Sequence, residues 1–455
     1  MTERELHLGV NVLSDGMHPA AWQFPSSDPH WFTDTDYWIH LAKTAERGTL
    51  DALFLADSPS LFHKPDTQLT APPLALDPLI LLSGLATATT HLGLIGTVST
   101  SFEEPYNVAR RFATLDHLSR GRVAWNVVTS SDPYAWNNFG GTGSRPQPPR
   151  GERYRRAAEF IEVVTALWDS WDDDAVIADK ASGAFSKKGA IRTIDHRGEY
   201  FSVDGPLTLP RSPQGHPVLF QAGGSPAGLD LAARFADGVF AAQASLIDAQ
   251  RNADELRALT VRHGRPRDAV RIMPGLSFVL GSTEAEARQR NDELNELSGE
   301  GRLAHLAGQL GVDVSELHWD RPLPQWLLDG AESTAGSQGA RDIVVNIARR
   351  DHLTVRQILD RVITWHRLVV GSPEQLADAI EEWYRAGVVD GFNLMPDVFP
   401  SGLELFVDHV VPILRDRGIF RREYTSSTLR GHLGLERVPD RSLTTDSSGT
   451  HRLTS

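Results

Sequence analysis

Ala52-Leu53-Phe54-Leu55-Ala56-Asp57-Ser58 is a run of five apolar residues that stops abruptly on two polar ones. A half-buried strand alternates apolar with polar side chains, so a run without alternation reads as a strand covered on both faces, as in parallel sheets flanked by helices. The same pattern recurs outward from it. Apolar runs at Leu6–Leu13, Leu92–Val98, Val123–Thr129, Val218–Ala222, Gly238–Ala242, Ile272–Leu280 and Gly391–Met395 bring the set to eight. Helically periodic segments fall between them at Trp38–Arg47, Pro78–Thr89, Asn107–Leu118, Tyr154–Trp168, Ala227–Phe235, Ala249–Arg262 and Pro373–Ala386, and Leu403–Asp416 follows the last strand. Strand and helix alternating eight times predict an α/β fold of the (β/α)8 TIM barrel type. A doubly wound sheet would place Gly-x-Gly-x-x-Gly after its first strand, where this chain has Leu13-Ser14-Asp15-Gly16.

Two stretches exceed the minimal barrel, about 172–217 and about 298–370. The first is Gly- and Pro-rich with a possible hairpin, and the second is polar and partly helical. Both read as rim insertions, which leaves a single barrel domain over residues 1–435. Residues 436–455 lack apolar periodicity and are expected to form a disordered tail.

Acidic residues outnumber Lys plus Arg by 59 to 45, and basic residues form no stripe with aromatics, so nucleic acid and anionic membranes are poor partners. The absence of cysteine removes disulfides, thiolate nucleophiles and thiolate metal sites, and fits a reducing cytoplasm. No apolar run approaches the roughly 18 residues of a membrane helix, and the N-terminus carries no apolar signal core. A soluble, cytoplasmic homo-oligomer is expected. His-Glu-x-x-His, Gly-x-Ser-x-Gly and P-loop patterns are all missing, so no metal is expected and nucleophilic hydrolysis is disfavoured.

In a barrel the C-terminal strand ends face the active site. The polar residues there are Asn11, Asp57 and Ser58, Thr97 and Ser99, Asn126 with Thr129-Ser130-Ser131, Gln221 through Ser225, and Gln243. Each taken alone also reads as a helix cap or a partner for neighbouring backbone. The most pointed segment is Gln221-Ala222-Gly223-Gly224-Ser225-Pro226. Two glycines, an N-cap serine and a proline at the first helical position offer backbone N–H groups and a hydroxyl to an anion. Arg150-Gly151-Glu152-Arg153-Tyr154-Arg155-Arg156 offers guanidinium groups and a phenol, with Arg150 and Tyr154 on one face if the helix starts early enough, though it also reads as a solvated basic helix start. His18, followed by Trp22, stands after the first strand and could line a pocket, although a lone histidine is more often structural.

Taken together, these segments resemble the nitrilotriacetate monooxygenase component A and dibenzothiophene-sulfone monooxygenase family of the bacterial luciferase-like superfamily. The resemblance rests on Ala52 to Asp57, Pro105 to Ser119, Gly121 to Ser130, Asn138-Phe139-Gly140, Arg153 to Phe160, His196 to Phe201, Gln221 to Ser225, Asp390 to Leu394, and Arg417 to Arg421 leading to Leu429-Arg430. It implies a luciferase-like barrel and a two-component FMN-dependent monooxygenase. Such an enzyme takes reduced FMN from a separate NAD(P)H:flavin reductase and uses O2 to oxygenate a small organic substrate through a flavin C4a-peroxide. The implied FMN contacts are Asp57, Thr97, Tyr154 and Ser225. Asn126 and Ser130 would lie near the ring and, with His18, are the catalytic candidates. Where the family often has His, four residues before Tyr154, this chain has Arg150, which either holds the phosphate, the favoured reading, or stands at the substrate mouth. Gln23 after Trp22 also departs from the arginine of relatives. The alternatives are a deazaflavin-dependent oxidoreductase of the same superfamily, a catalytically silent flavin-binding barrel, and a barrel enzyme without flavin.

Overall fold

The computed structural model describes residues 4–61, 76–141, 146–329, 338–363 and 365–440. Its main sheet contains β1 (His7–Val12), β2 (Ala52–Leu55), β3 (Gly93–Ser99), β4 (Val123–Val128), β5 (Val218–Gln221), β6 (Gly238–Val239), β7 (Arg271–Ile272), β8 (Gly275–Leu280), β9 (His366–Gly371) and β10 (Gly391–Pro396). Strands β1 to β7 pair in sequence order, β10 pairs with β1, and β8 lies between β10 and β9, all in parallel. Each of the eight expected runs contains strand. The seventh is interrupted at Met273-Pro274, which separates β7 from β8. Around that break the Met273 and Gly275 N–H groups donate to Val239 and Ala241, while Asp390 and Asn393 donate to Ile272 and Pro274. The sheet is therefore curled, with this segment bonded on both sides.

Alternate residues of a curled sheet point outward and inward. Leu8, Val10, Leu53, Leu55, Leu94, Trp125, Phe278 and Leu394 join the core shared with the helices. Ala52, Phe54, Ile95, Ala124, Val218, Phe220 and Met273 form a second cluster with Leu429 and Leu433. Both faces are apolar, which is why the strand period of two was hidden in the sequence. Leu429 belongs to the short helix Leu429–His432, whose Arg430 grips Asp237 at 3.1 and 2.8 Å. This C-terminal segment packs Leu429 and Leu433 against the strand residues of that second cluster.

Helices start on side-chain caps where the sequence supplies them: Asp77 caps Pro78–Ala88 and Ser225 caps Pro226–Phe235, each with proline in the first turn. The helix expected from Tyr154 begins four residues earlier, at Arg150, where Arg153 N–H donates to the carbonyl of Pro149.

The rim differs in detail from expectation. The first stretch holds two ribbons, Val176–Asp179 with Ala184–Ser186 and His196–Arg197 with Ser202–Val203, where one hairpin was foreseen. The second is helical over much of its length and builds a small core from Leu303, Leu306, Leu310, Val344, Val355 and Ile358, but it also contributes β9 to the main sheet, a strand its polar composition concealed. The tail expected after Leu435 is held as far as Asp440. Arg437 pairs with Asp173 at 2.6 Å, the carbonyls of Val438 and Pro439 accept from Arg211, and the Asp440 carboxylate accepts from the Asp173 N–H. The rest of the expected tail, 441–455, lies outside the described residues. Among the described residues, no helix is long and apolar enough to cross a membrane.

Candidate active site

The two anion-directed motifs of the sequence converge. A cavity of about 230 Å³ is lined by Ser130 and Ser131 after β4, by Arg150, Arg153 and Tyr154 on the first turns of helix Arg150–Trp168, and by Gln221 through Ser225 after β5. The convergence follows from strand order, because β4 and β5 are neighbours and the helix between them returns to that edge. The Tyr154 and Ser225 hydroxyl oxygens lie 3.4 Å apart. Ser225 also accepts from the Gly228 N–H at 3.2 Å, fixing the start of a helix whose first-turn N–H groups have no carbonyl four residues back. A Cβ at Gly223 would collide with Gln221 Nε2 and stand 3.3 Å from the Tyr154 oxygen, so glycine is what lets this backbone pass between the amide and the phenol.

Arg153 was not singled out from the sequence. It lies one helical step from Arg150, and i, i+3 spacing within Arg150-Gly151-Glu152-Arg153 is the signal that places both guanidiniums on one face. Its Nη1 donates to the Pro148 carbonyl at 2.9 Å, while burial and then the nearby Arg150 charge lower its pKa. Two cations, a helix N-terminus and two hydroxyls in one cavity suit a dianionic phosphate.

Thr97 and Asn126 are opposite one another on β3 and β4. Thr97 Oγ1 donates to the Leu55 carbonyl at 2.8 Å and accepts from Asn126 Nδ2 at 2.9 Å, so the threonine orients the amide. Asn126 Oδ1 is buried without a hydrogen-bond partner, an acceptor left for a donor from outside the protein. Ser130 donates to Ser99 Oγ at 2.8 Å, which ties this cavity to the end of β3. Asp57 follows β2 and is exposed. Desolvation by the surrounding protein pushes its carboxyl up to about 6, and the Asp77 and Glu103 carboxylates add to the rise.

His18 stands apart from this group. It is buried, its Nδ1 accepts from the Ala20 N–H at 3.2 Å, and its Nε2 lies 3.1 Å from Asn295 Oδ1 on helix Glu284–Ser298. With Nδ1 accepting, the proton resides on Nε2, and burial holds the pKa down to about 4. At neutral pH this imidazole is uncharged and both its nitrogens are engaged. The Asn295 partner, 277 positions away, carried no local signal in the sequence. Among the described residues, no group of His, Asp and Glu is arranged to hold a metal ion.

Residues 17–390 match the family described as luciferase-like monooxygenase. The chain is 41% identical to nitrilotriacetate monooxygenase component A of Aminobacter aminovorans, over 95% of this chain and 97% of that protein. It is 42% identical to N-acetyl-S-(2-succino)cysteine monooxygenase of Bacillus subtilis (strain 168), over 96% of this chain and 98% of that protein. A crystal structure of a riboflavin lyase with modified FMN and riboflavin superposes with a TM-score of 0.81 at 33% identity, covering 95% of this chain and 96% of that one.

Proposed function

The chain belongs to the luciferase-like monooxygenase family, and on that premise we propose how its residues serve a two-component, FMN-dependent monooxygenase supplied with reduced flavin by a separate NAD(P)H:flavin reductase. The carrying observation is the single cavity in which Arg150, Arg153, Tyr154 and Ser225 surround the helix N-terminus after β5. Reduced FMN, when bound, supplies the electrons that activate O2 for transfer of one oxygen atom to a small organic substrate.

The chain's own work is to bind, orient and shield. Arg150 and Arg153 neutralise the phosphate, Tyr154 and Ser225 donate hydroxyl hydrogens to it, and Gly223 and Gly224 admit it close to the backbone. Thr97 orients Asn126, whose Oδ1 would be available to a donor on the ring, and Ser130, bonded to Ser99, would serve beside it. Asp57, with its pKa near 6, can hold or give up a proton at the mouth. The neutral His18, fixed between Ala20 and Asn295, is a wall and orienting group. The described part of the insertion builds its own core, against which Ala244 after β6 packs, and would help to exclude water from that side.

Closure of the sheet into an eight-stranded barrel is part of this reading. It is supported by the hydrogen bonds that Met273 and Gly275 make to one side and Ile272 and Pro274 accept from the other. So is a single domain with rim insertions, supported by the contribution of β9 to the main sheet.

The test is anaerobic titration of the purified chain with reduced FMN and with NADH, followed by turnover with an added flavin reductase. Tight binding of reduced FMN, no NADH oxidation by the chain alone, and oxygenated product only with the reductase present are expected. Steady NADH oxidation by the chain alone would overturn the two-component assignment.

A further inference from the structure

Behind the phosphate cavity, between helix Pro226–Phe235 and helix Leu246–Arg262, lies a narrow cavity of about 30 Å³. Its walls are Leu229, Val239, Ala249, Ala253, Leu256 and Ile272. One end reaches Gly223 and Gly224, the glycines that also line the phosphate cavity, and Gln243 beyond β6; the half-buried Asn252 also lines it. A buried water on this measure needs about 10–15 Å³ together with two to four polar partners. The space is sufficient, and apart from Gln243, Asn252 and the Gly223–Gly224 backbone the lining is apolar; apolar cavities stay dry and take apolar gases.

The existence of the space has a source in the sequence. Ala249 and Ala253 are four residues apart on one helix face, so two methyl groups stand where larger side chains would fill the gap. At the inner end Gln243 is buried with its Oε1 unpartnered, which marks where the apolar wall gives way to the polar mouth.

We infer that this cavity is a docking site for dioxygen, holding an apolar diatomic gas beside the flavin site while excluding water. The inference rests on the proposed function, in which O2 is a substrate. Gas crosses the helix layer behind the phosphate rather than competing with the organic substrate for the barrel mouth. Ala249 and Ala253 set how much gas the cavity admits.

Xenon is the probe. Pressurised xenon should occupy the cavity of the FMN-loaded protein, seen crystallographically between Ala249 and Ala253, and should be lost in Ala253→Leu. Reoxidation of bound reduced FMN by O2, followed by stopped flow, should slow at least fivefold in Ala253→Leu, with the FMN dissociation constant within twofold of wild type. Ala249→Val serves if Ala253→Leu does not fold. Xenon should also slow reoxidation in the wild type, which needs no variant. A cavity shown to be filled with an unchanged oxygen rate constant, or a wild type indifferent to xenon, overturns the gas site and leaves a packing void. Failure of the wild type to bind FMN would instead strike the functional reading itself.

Discussion

Tyr154 and Ser225 stand 71 positions apart in the chain and bring their hydroxyl oxygens to 3.4 Å. The pair joins the first turn of one helix to the N-cap of the next, so any ligand held between them is held by two rigid elements rather than by a loop.

Ser225 has two duties that separate experimentally. Ser225→Ala removes a hydroxyl donor to a dianion, and a hydrogen bond to a charged group contributes about 1.5–3 kcal/mol, roughly ten- to a hundredfold in FMN affinity. It also removes the cap to Gly228, at about 1 kcal/mol of stability. Riboflavin, which lacks the phosphate, should bind the variant nearly as well as the wild type. Equal weakening of both flavins would reduce Ser225 to a cap.

Arg150 and Arg153 should differ in their response to salt. Arg150 is exposed, so the affinity lost in Arg150→Ala should shrink as ionic strength rises, while the more buried Arg153 should show a larger and less salt-sensitive loss. FMN dissociation constants at low and high salt for Arg150→Ala, Arg150→His and Arg153→Ala decide the matter. Unchanged affinity in both Arg150 variants removes that residue from the phosphate site.

Asp116 makes stability depend on pH. Its carboxyl is fully buried, accepts from the Val123 N–H at 3.0 Å and Gln214 at 2.8 Å, and leaves Oδ2 unpartnered; burial pushes its pKa up to about 6. The folded state therefore binds the proton more tightly than the unfolded chain. Its contribution is fully present below about pH 4 and is lost as pH rises through about 6, on the order of 2–3 kcal/mol. Asp116→Asn keeps an acceptor for Val123 and Gln214, so its melting temperature should vary less between pH 4.5 and 7 than that of the wild type. Parallel curves would show that the carboxyl does not titrate there.

The ion pair at the base of the sheet predicts a larger loss. Burial alone would raise the Asp237 carboxyl, but Arg430 outweighs it and holds the pKa low. Breaking a buried pair by removing one partner costs about 3–5 kcal/mol. Arg430→Ala should therefore lower the urea midpoint strongly, and a change below about 1 kcal/mol would show that solvent reaches the pair.

What was legible in the sequence was what neighbours along the chain determine. Ala52–Ala56 announced a buried strand, and Gln221–Pro226 announced a capped helix start, because strand burial and capping are local. His366–Gly371 was missed because it opens on His366-Arg367 inside a polar stretch, and most of its residues are only half-buried, unlike the wholly buried β1 to β3. The pairing of His18 with Asn295 and the engagement of Arg437 with Asp173 depend on residues brought together by the fold. The role of Arg153 was within reach through helical spacing and was obscured by the arginines beside it.

Leu429 and Leu433 belong to the same apolar cluster as Ala52 and Ile95, side chains added to the chain more than three hundred residues earlier. At roughly 5–20 residues per second, ribosomal synthesis leaves that interior without its floor for tens of seconds after Ile95 is added. The base is sealed only once Leu429 and Leu433 have left the ribosome, and a nonsense mutation near position 428 would release a chain that holds every strand of the main sheet over an open, aggregation-prone base.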